Sequence, residues 1–310
     1  MARIVSVFGA TGNQGNAVVH ALLKDGTFTP RAITRNPDSE AALKLKAQGV
    51  EVVKGDGLDK ESLVGALRGS EAVFGVTTPT DVWPLKAVGD SPNEQEWGIN
   101  MVNAAKEVDA KFFIWSSLPS VKKLSGGKYA NVIHYEQKAA VEEYLKSSGL
   151  TNASIHTGAF LENYWKHGLL KKTDAGFDVA VPHFSTTDRQ AFTWVEQTVP
   201  TTVIALLKNY TDPSKKISGK TYPIVNDNMS YAELAALTGK VLGVEVTFTT
   251  VPALGIPPVD EMLKSHAEYS GLFTATAIPN PDLVDLGVKF GTIQEFLETE
   301  VKPRFGTPAR

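Results

Sequence analysis

Ile4-Val5-Ser6-Val7-Phe8-Gly9-Ala10-Thr11-Gly12-Asn13-Gln14-Gly15 is the stretch on which the fold turns. Its β-branched run predicts a buried strand from Ile4 to Phe8. Gly9 predicts a sharp turn, and the amphipathic pattern from Asn16 to Lys24 predicts a helix beyond Gly12. Glycines closing a buried parallel strand let the backbone pass close to a pyrophosphate. The free N–H groups and positive dipole end of the next helix then meet its charge. The spacing of Gly9, Gly12 and Gly15 is G-x-x-G-x-x-G rather than G-x-G-x-x-G. A plain strand-turn-helix corner uses the same residues, but the place of these glycines, directly between a strand and a helix pattern, favours nucleotide binding.

Outward from this turn the same alternation repeats. Strand patterns recur at Arg31 to Thr34, Val50 to Lys54, Ala72 to Thr77, Phe112 to Ser116 and Ala153 to His156, with helical patterns between them. Asp38 is expected to cap a helix through Gln48 and Asp59 one through Leu67, while Ile133 to Ser148 reads as a helix ending near Gly149. Such alternation implies an α/β fold with a doubly wound parallel sheet, a Rossmann arrangement, covered on both faces. After Phe160 the rhythm changes: Gly, Pro, Thr and aromatic residues dominate Asp174 to Trp194. Two later helices open with capping-box signals, Ser230 with Glu233 and Thr292 with Glu295. The expected division is a nucleotide-binding domain over 1–157, completed by parts of 190–228, and a smaller irregular α/β lobe over 158–310 that serves substrate or partner.

Composition bounds the function. A chain of 310 residues with 42% hydrophobic and 21% charged residues is an ordinary globular protein, and a net charge of −3 gives no electrostatic reason to expect nucleic acid or a membrane surface as partner. The absence of cysteine removes disulfides, thiol nucleophiles and thiolate metal sites, and the six histidines show no metal-ligand spacing. No metal is therefore expected. Without a signal-like or long apolar run, a cytoplasmic location is expected.

The second strand decides which nucleotide. An acidic residue at its tip accepts from both ribose hydroxyls of NAD. Here the tip reads Thr34-Arg35-Asn36-Pro37, without a carboxylate, and Arg35 offers a planar charged fork suited to a 2′-phosphate. NADP(H) is favoured. At the third strand, Gly55-Asp56-Gly57 places Asp56 either beside the adenine or as the cap of the next turn. The fourth strand ends in Val76-Thr77-Thr78, small enough for the centre of a cofactor to lie across it.

These words together resemble the NmrA-like family of atypical short-chain dehydrogenases. The matching stretches are Val7 to Gly15, Leu22-Leu23-Lys24-Asp25-Gly26-Thr27-Phe28, Thr34-Arg35-Asn36-Pro37, Val141-Glu142-Glu143-Tyr144 and Phe160-Leu161-Glu162-Asn163, strongest over residues 1 to about 165. The resemblance implies that Gly9 to Gln14 hold the pyrophosphate, Arg35 and Asn36 the 2′-phosphate, Thr77 the central part, and Lys138 with Phe160 to Asn163 the nicotinamide half. One departure is that Asp38 and Ser39 follow Pro37 where basic residues would assist Arg35. Some relatives bind the cofactor as regulators, and others reduce quinones, phenolics or specialised metabolites. The resemblance therefore implies either an oxidoreductase acting on a small, flat, conjugated substrate or a redox sensor with a protein partner, and it admits a homodimer.

Typical short-chain dehydrogenases carry Tyr-x-x-x-Lys on the helix after the fifth strand, with a serine near that strand's end. Four-residue spacing puts both side chains on one helical face, so that the lysine binds the nicotinamide ribose and lowers the tyrosine pKa. This chain has His134-Tyr135-Glu136-Gln137-Lys138, with His134 at the tyrosine position and Tyr135 rotated about a hundred degrees away. Ser116, His134 and Lys138 are the candidate catalytic residues for carbonyl or enone reduction. In the blander reading Lys138 holds the ribose and His134 lines an opening. Trp83, Tyr129, Phe160, Tyr164, Trp165, Phe192 and Trp194 are candidates to line a pocket for a flat substrate, and simple core placement is the alternative.

Overall fold

The computed structural model describes residues 3–78 and 93–306. Strands β1 (Ile4–Val7), β2 (Thr29–Thr34), β3 (Glu51–Lys54), β4 (Ala72–Gly75), β5 (Phe112–Ser117) and β6 (Asn152–His156) alternate with helices α1 (Asn13–Asp25), α2 (Glu40–Ala47), α3 (Lys60–Leu67), α4 (Glu94–Glu107), α5 (Val121–Leu124) and α6 (Ile133–Ser147). Then follow β7 (Ala159–Phe160), α7 (Asn163–Lys166), β8 (Leu170–Lys172), β9 (Gly176–Pro182), β10 (Arg189–Thr193), α8 (Val195–Asn209), β11 (Lys220–Pro223), β12 (Asp227–Ser230), α9 (Tyr231–Leu242), β13 (Glu245–Val251) and α10 (Pro257–Glu268).

Seven strands form one parallel sheet in the order β11-β6-β5-β4-β1-β2-β3. The chain winds from β1 through β2 to β3 on one side and then restarts with β4 on the other. The carboxyl ends of β1 and β4 therefore flank the crevice where a doubly wound sheet receives its ligand. Both faces are covered, as the apolar strands require. Val18, Val19 and Leu22 of α1 pack with Val195, Val199 and Val203 of α8 on one side. Leu63 of α3, Met101 and Val102 of α4, and Val141 and Leu145 of α6 pack on the other.

Local details differ from the expected ones. Helix α1 begins at Asn13, three residues before its apolar pattern, with Gly12 at its N-cap. Ser39, not Asp38, caps α2, its side chain accepting from Ala42 N, while Asp38 pairs with Lys46 at 3.5 Å. The stretch Asp174 to Trp194 is not irregular throughout, because it carries β9 and β10. Strand β9 pairs in parallel with β13 over seven residues and antiparallel with β8, and β10 lies between β12 and β7. Both capping boxes form as expected, at Ser230 with Glu233 and Thr292 with Glu295. Among the described residues no helix is long and apolar enough to cross a membrane, and no cluster of His, Asp or Glu is placed to hold a metal ion.

Candidate functional site

At the end of β1 the chain reverses on Gly9, whose φ of +62° favours glycine, and Gly12 N donates to Gly9 O at 2.8 Å. Asn16 Nδ2 holds the turn from within by donating to Ala10 O at 3.3 Å. A Cβ on Gly15 would lie 2.3 Å from Gly9 O, so the third glycine is what lets α1 close on the strand. Gly12 gives α1 no side-chain cap, and its first turn carries no acidic residue. The positive end of α1 thus points outward beside exposed Thr11 and Gly12, the arrangement that receives an anion. Gln14 accepts from the Ser116 hydroxyl at 2.7 Å, and Lys166 of α7 donates to the Asn13 side chain and lies 3.3 Å from Glu196. A cleft of about 530 Å³ runs along this edge between α1 and the start of α8.

At the tip of β2, Arg35 and Asn36 are exposed, and Arg35 has no ion pair among the described residues. Its guanidinium carbon lies 5.2 Å above the Trp97 ring. Asn36 Oδ1 accepts from Asp38 N at 3.1 Å. Asp56 takes up the turn-capping role, one oxygen accepting from Leu58 N at 3.1 Å, and Gly57 lies buried against Trp97. At the end of β4, Thr77 is buried and Thr78 exposed.

The groups of the opposite half are spent on one another. Lys138 Nζ donates to Thr77 O at 2.7 Å, to Thr77 Oγ1 at 2.8 Å and to Glu94 Oε1 at 3.0 Å, which occupies its three protons. Lys138 and Glu94 are 7% and 4% exposed, and Glu94 Oε2 has no partner among the described residues. His134 lies one helical turn before Lys138. Burial, then the Lys138 charge, lowers its pKa to about 4, and its Nδ1 is buried without a partner among the described residues. Tyr135 points elsewhere, as the helical rotation requires, and its hydroxyl meets His266 Nε2 at 2.9 Å. Burial lowers the His266 pKa to about 3, so its ring is neutral; its Nδ1 donates to Gln190 Oε1 at 3.1 Å, which leaves Nε2 to accept from the tyrosine hydroxyl. Phe160 is half-buried at the end of β7, and Leu161 N continues the pairing by donating to Thr193 O at 3.0 Å. Glu162, 1% exposed, accepts from Glu196 N at 2.9 Å and so caps α8, which lacks a cap of its own; Asn163 is half-buried at the start of α7. Burial outweighs this backbone hydrogen bonding and pushes the Glu162 carboxyl up to about 7.

The fold thus brings Ser116 to Gln14 and Lys138 to Thr77, with His134 on the Lys138 face of α6. No hydrogen bond links Ser116, His134 and Lys138 to one another. Of the aromatic candidates, Tyr164 and Phe192 are buried in the apolar core with Phe296 and Tyr231, Trp165 and Trp194 are half-buried against it, Trp194 also lining a cleft between α1 and α8, and the Tyr129 hydroxyl donates to Glu268. Trp83 lies outside the described residues. Glu94, Trp97 and Lys166 were missed by sequence reasoning. Each meets its partner across a long stretch of chain, and only the position of Glu94 and Trp97 in the first turn of the helix after the fourth strand hinted at them.

The sequence pattern of the NmrA-like family matches residues 1–296. The chain is similar to the NmrA-like family domain-containing oxidoreductase notA of Aspergillus sp. (strain MF297-2), 42% identical over 173 residues, 56% of this chain and 49% of that one. It spans about half the length of the first curated relatives it matches. The fold is similar to that of NmrA, a negative transcriptional regulator solved in complex with NADP, at a TM-score of 0.78 and 18% identity over 98% of this chain and 97% of that one. NmrA has also been solved in complex with NAD. A further neighbour is an NADPH-dependent quinone oxidoreductase from Escherichia coli complexed with NADPH, with a TM-score of 0.68 and 22% identity over 94% and 98%.

Proposed function

The chain belongs to the NmrA-like family, and from that premise we propose that it is an oxidoreductase that binds NADP(H) and reduces a small conjugated carbonyl or quinone-type compound. The observation that carries this reading is the exposed Arg35 guanidinium, without an ion pair among the described residues, beside an α1 N-terminus that has no side-chain cap. Gly9, Ala10, Thr11, Gly12, Asn13 and Gln14 would hold the pyrophosphate, with Gly15 keeping α1 close. Arg35 and Asn36 take the 2′-phosphate, and the free oxygen of Asp56 with Gly57 faces the adenosine. Thr77 and Thr78 underlie the centre of the cofactor. Lys138 and the Phe160 to Asn163 segment flank its nicotinamide half, where a ribose contact by Lys138 requires it to release Thr77 Oγ1.

NADPH, when bound, supplies a hydride. The chain's own residues must then orient the acceptor and manage a proton. With a pKa lowered to about 4, His134 is a neutral hydrogen-bonding group at neutral pH and not a charged acid. A conjugated acceptor suits this site, because it spreads the charge left by hydride addition over its oxygens and can take its proton from water. Ser116 holds Gln14 and with it the near edge of the cradle. The region 1–157, with the strand and helix drawn from 190–228, serves the nucleotide, and the rest serves the substrate side.

One observation favours a second reading, a cofactor-binding regulator without turnover. The exposed Thr11, Arg35 and Asn36 lie at the proposed phosphate and adenosine end, while Lys138 and Glu162 are committed to protein partners. The test has two arms. Arg35→Glu is expected to shift preference from NADPH toward NADH by at least about 2 kcal/mol, and equal wild-type affinity for both sinks the assignment. NADPH oxidation with a panel of quinones, enones and aromatic aldehydes then separates the readings, since binding without turnover leaves the regulator.

A further inference from the structure

Trp97 belongs to no motif of the dinucleotide pattern, yet four observations converge on it. Its indole, in the first turn of α4, is 7% exposed. The Arg35 guanidinium carbon stands 5.2 Å from its ring centroid. A Cβ on Gly57 would fall 2.8 Å from Trp97 Cγ, so the indole occupies the space a side chain at the tip of β3 would take. Its Nε1 is buried without an acceptor among the described residues, unusual for an indole N–H. Asn100, three residues on and on the same helical face, donates to Gly57 O at 2.9 Å and pins that face of α4 to the same turn. The ring therefore has a fixed place, while the arginine it carries is exposed.

We propose that Trp97 is a positioning residue for cofactor choice. By stacking against Arg35 it holds the guanidinium at the tip of β2, where the fork meets a 2′-phosphate. An exposed arginine otherwise spreads over many rotamers and must be ordered when the phosphate binds. Stacking on an aromatic face removes part of that ordering in advance, and only a cofactor that uses Arg35 benefits. The inference rests on the NADP(H) reading above and adds to it the residue through which Arg35 acts.

The test compares NADP and NAD affinities of the full chain by titration calorimetry for the wild type, Trp97→Leu and Trp97→Phe. Loss of the ring is expected to reduce the NADP-over-NAD ratio about two- to fivefold, the span of an exposed cation–π contact. Trp97→Phe is expected to keep most of the ratio. Should Trp97→Leu fail to fold, Trp97→Met fills more of the space without offering a ring face, and the same ratio decides. An equal loss for both cofactors in the non-aromatic variant marks a structural role only and overturns the proposal. So does an unchanged ratio. Failure of the underlying reading shows separately, because wild-type protein then binds neither cofactor or binds both equally.

Discussion

The two ends of the strand crevice are built on opposite terms. At the glycine turn and the tip of β2 the groups are exposed: Thr11, Gly12, Arg35 and Asn36 face solvent, Arg35 has no ion pair among the described residues, and α1 has no side-chain cap. At the end of β4 and on α6 and α7 they are buried and engaged: Lys138 with Thr77 and Glu94, Glu162 with the start of α8. The glycine turn of the open end is a backbone device made by consecutive residues, of the kind that receives an anion. The closed end is a tertiary assembly whose groups hold the fold together, so changing them should disturb stability before it disturbs binding.

The largest effect expected from this contrast is at Lys138. Lys138→Ala leaves the Glu94 carboxylate buried and unpaired, and unfolding free energy should fall by about 3–5 kcal/mol in urea denaturation. Neutralising both partners, with Lys138→Met and Glu94→Gln together, should restore much of that loss. Arg35→Ala at the open end should change stability by less than about 0.5 kcal/mol. Similar losses at the two positions would break the comparison.

A smaller effect comes from Glu162. Burial raises its carboxyl from 4.5 to about 7, so the folded protein binds this proton more tightly than the unfolded chain does. Its contribution is full below pH 4.5 and is lost as pH rises through about 7. The wild type should therefore lose stability relative to Glu162→Gln across that window, by on the order of 3 kcal/mol. Parallel stability profiles for the two proteins, measured by thermal or urea unfolding, would show that Glu162 is ionised throughout and that this side of the crevice is wetter than its burial indicates.

The same contrast explains what could be read from the sequence. The strand, turn and helix of residues 4 to 25 were legible because their determinants are neighbours in the chain, the glycines included. Arg35 was legible because the tip of the second strand has a fixed place in a doubly wound sheet. Lys138 was found by its spacing from His134, but its partner Glu94 lies 44 residues away and no local pattern pairs them. Strands β9 and β10 were hidden for a similar reason. Gly176 opens β9 where a Cβ would fall 2.0 Å from Glu245 O, so its glycine answers to a strand that follows nearly seventy residues later. Tyr164, Trp165, Phe192 and Trp194 read as pocket or core with equal ease, because large aromatic residues serve both. Only the tertiary packing separates them: Tyr164 and Phe192 are buried in the core, while Trp165 and Trp194 lie half-buried against it, Trp194 beside a cleft.

The smallest expected effect sharpens the comparison most finely, because it asks whether the closed end takes part in chemistry at all. His134 is held neutral by burial and by the Lys138 charge, with a pKa near 4 instead of the ordinary 6.5. If it assists reduction, it does so as a neutral hydrogen-bonding group. Turnover of NADPH with a quinone should then show no inflection from His134 between about pH 5 and 8, the span in which an unperturbed histidine titrates. His134→Ala should lower kcat only about two- to tenfold, the range of one neutral hydrogen bond. A positioned general acid is worth about a hundredfold or more. NADPH affinity should stay nearly unchanged, since the phosphate and adenosine contacts proposed above lie at the open end. An inflection near pH 6.5 that vanishes in His134→Ala would mean that the imidazole is solvated and charges during turnover. The closed end would then open in the working protein, and the division between a ready half and a committed half would hold only for the free chain.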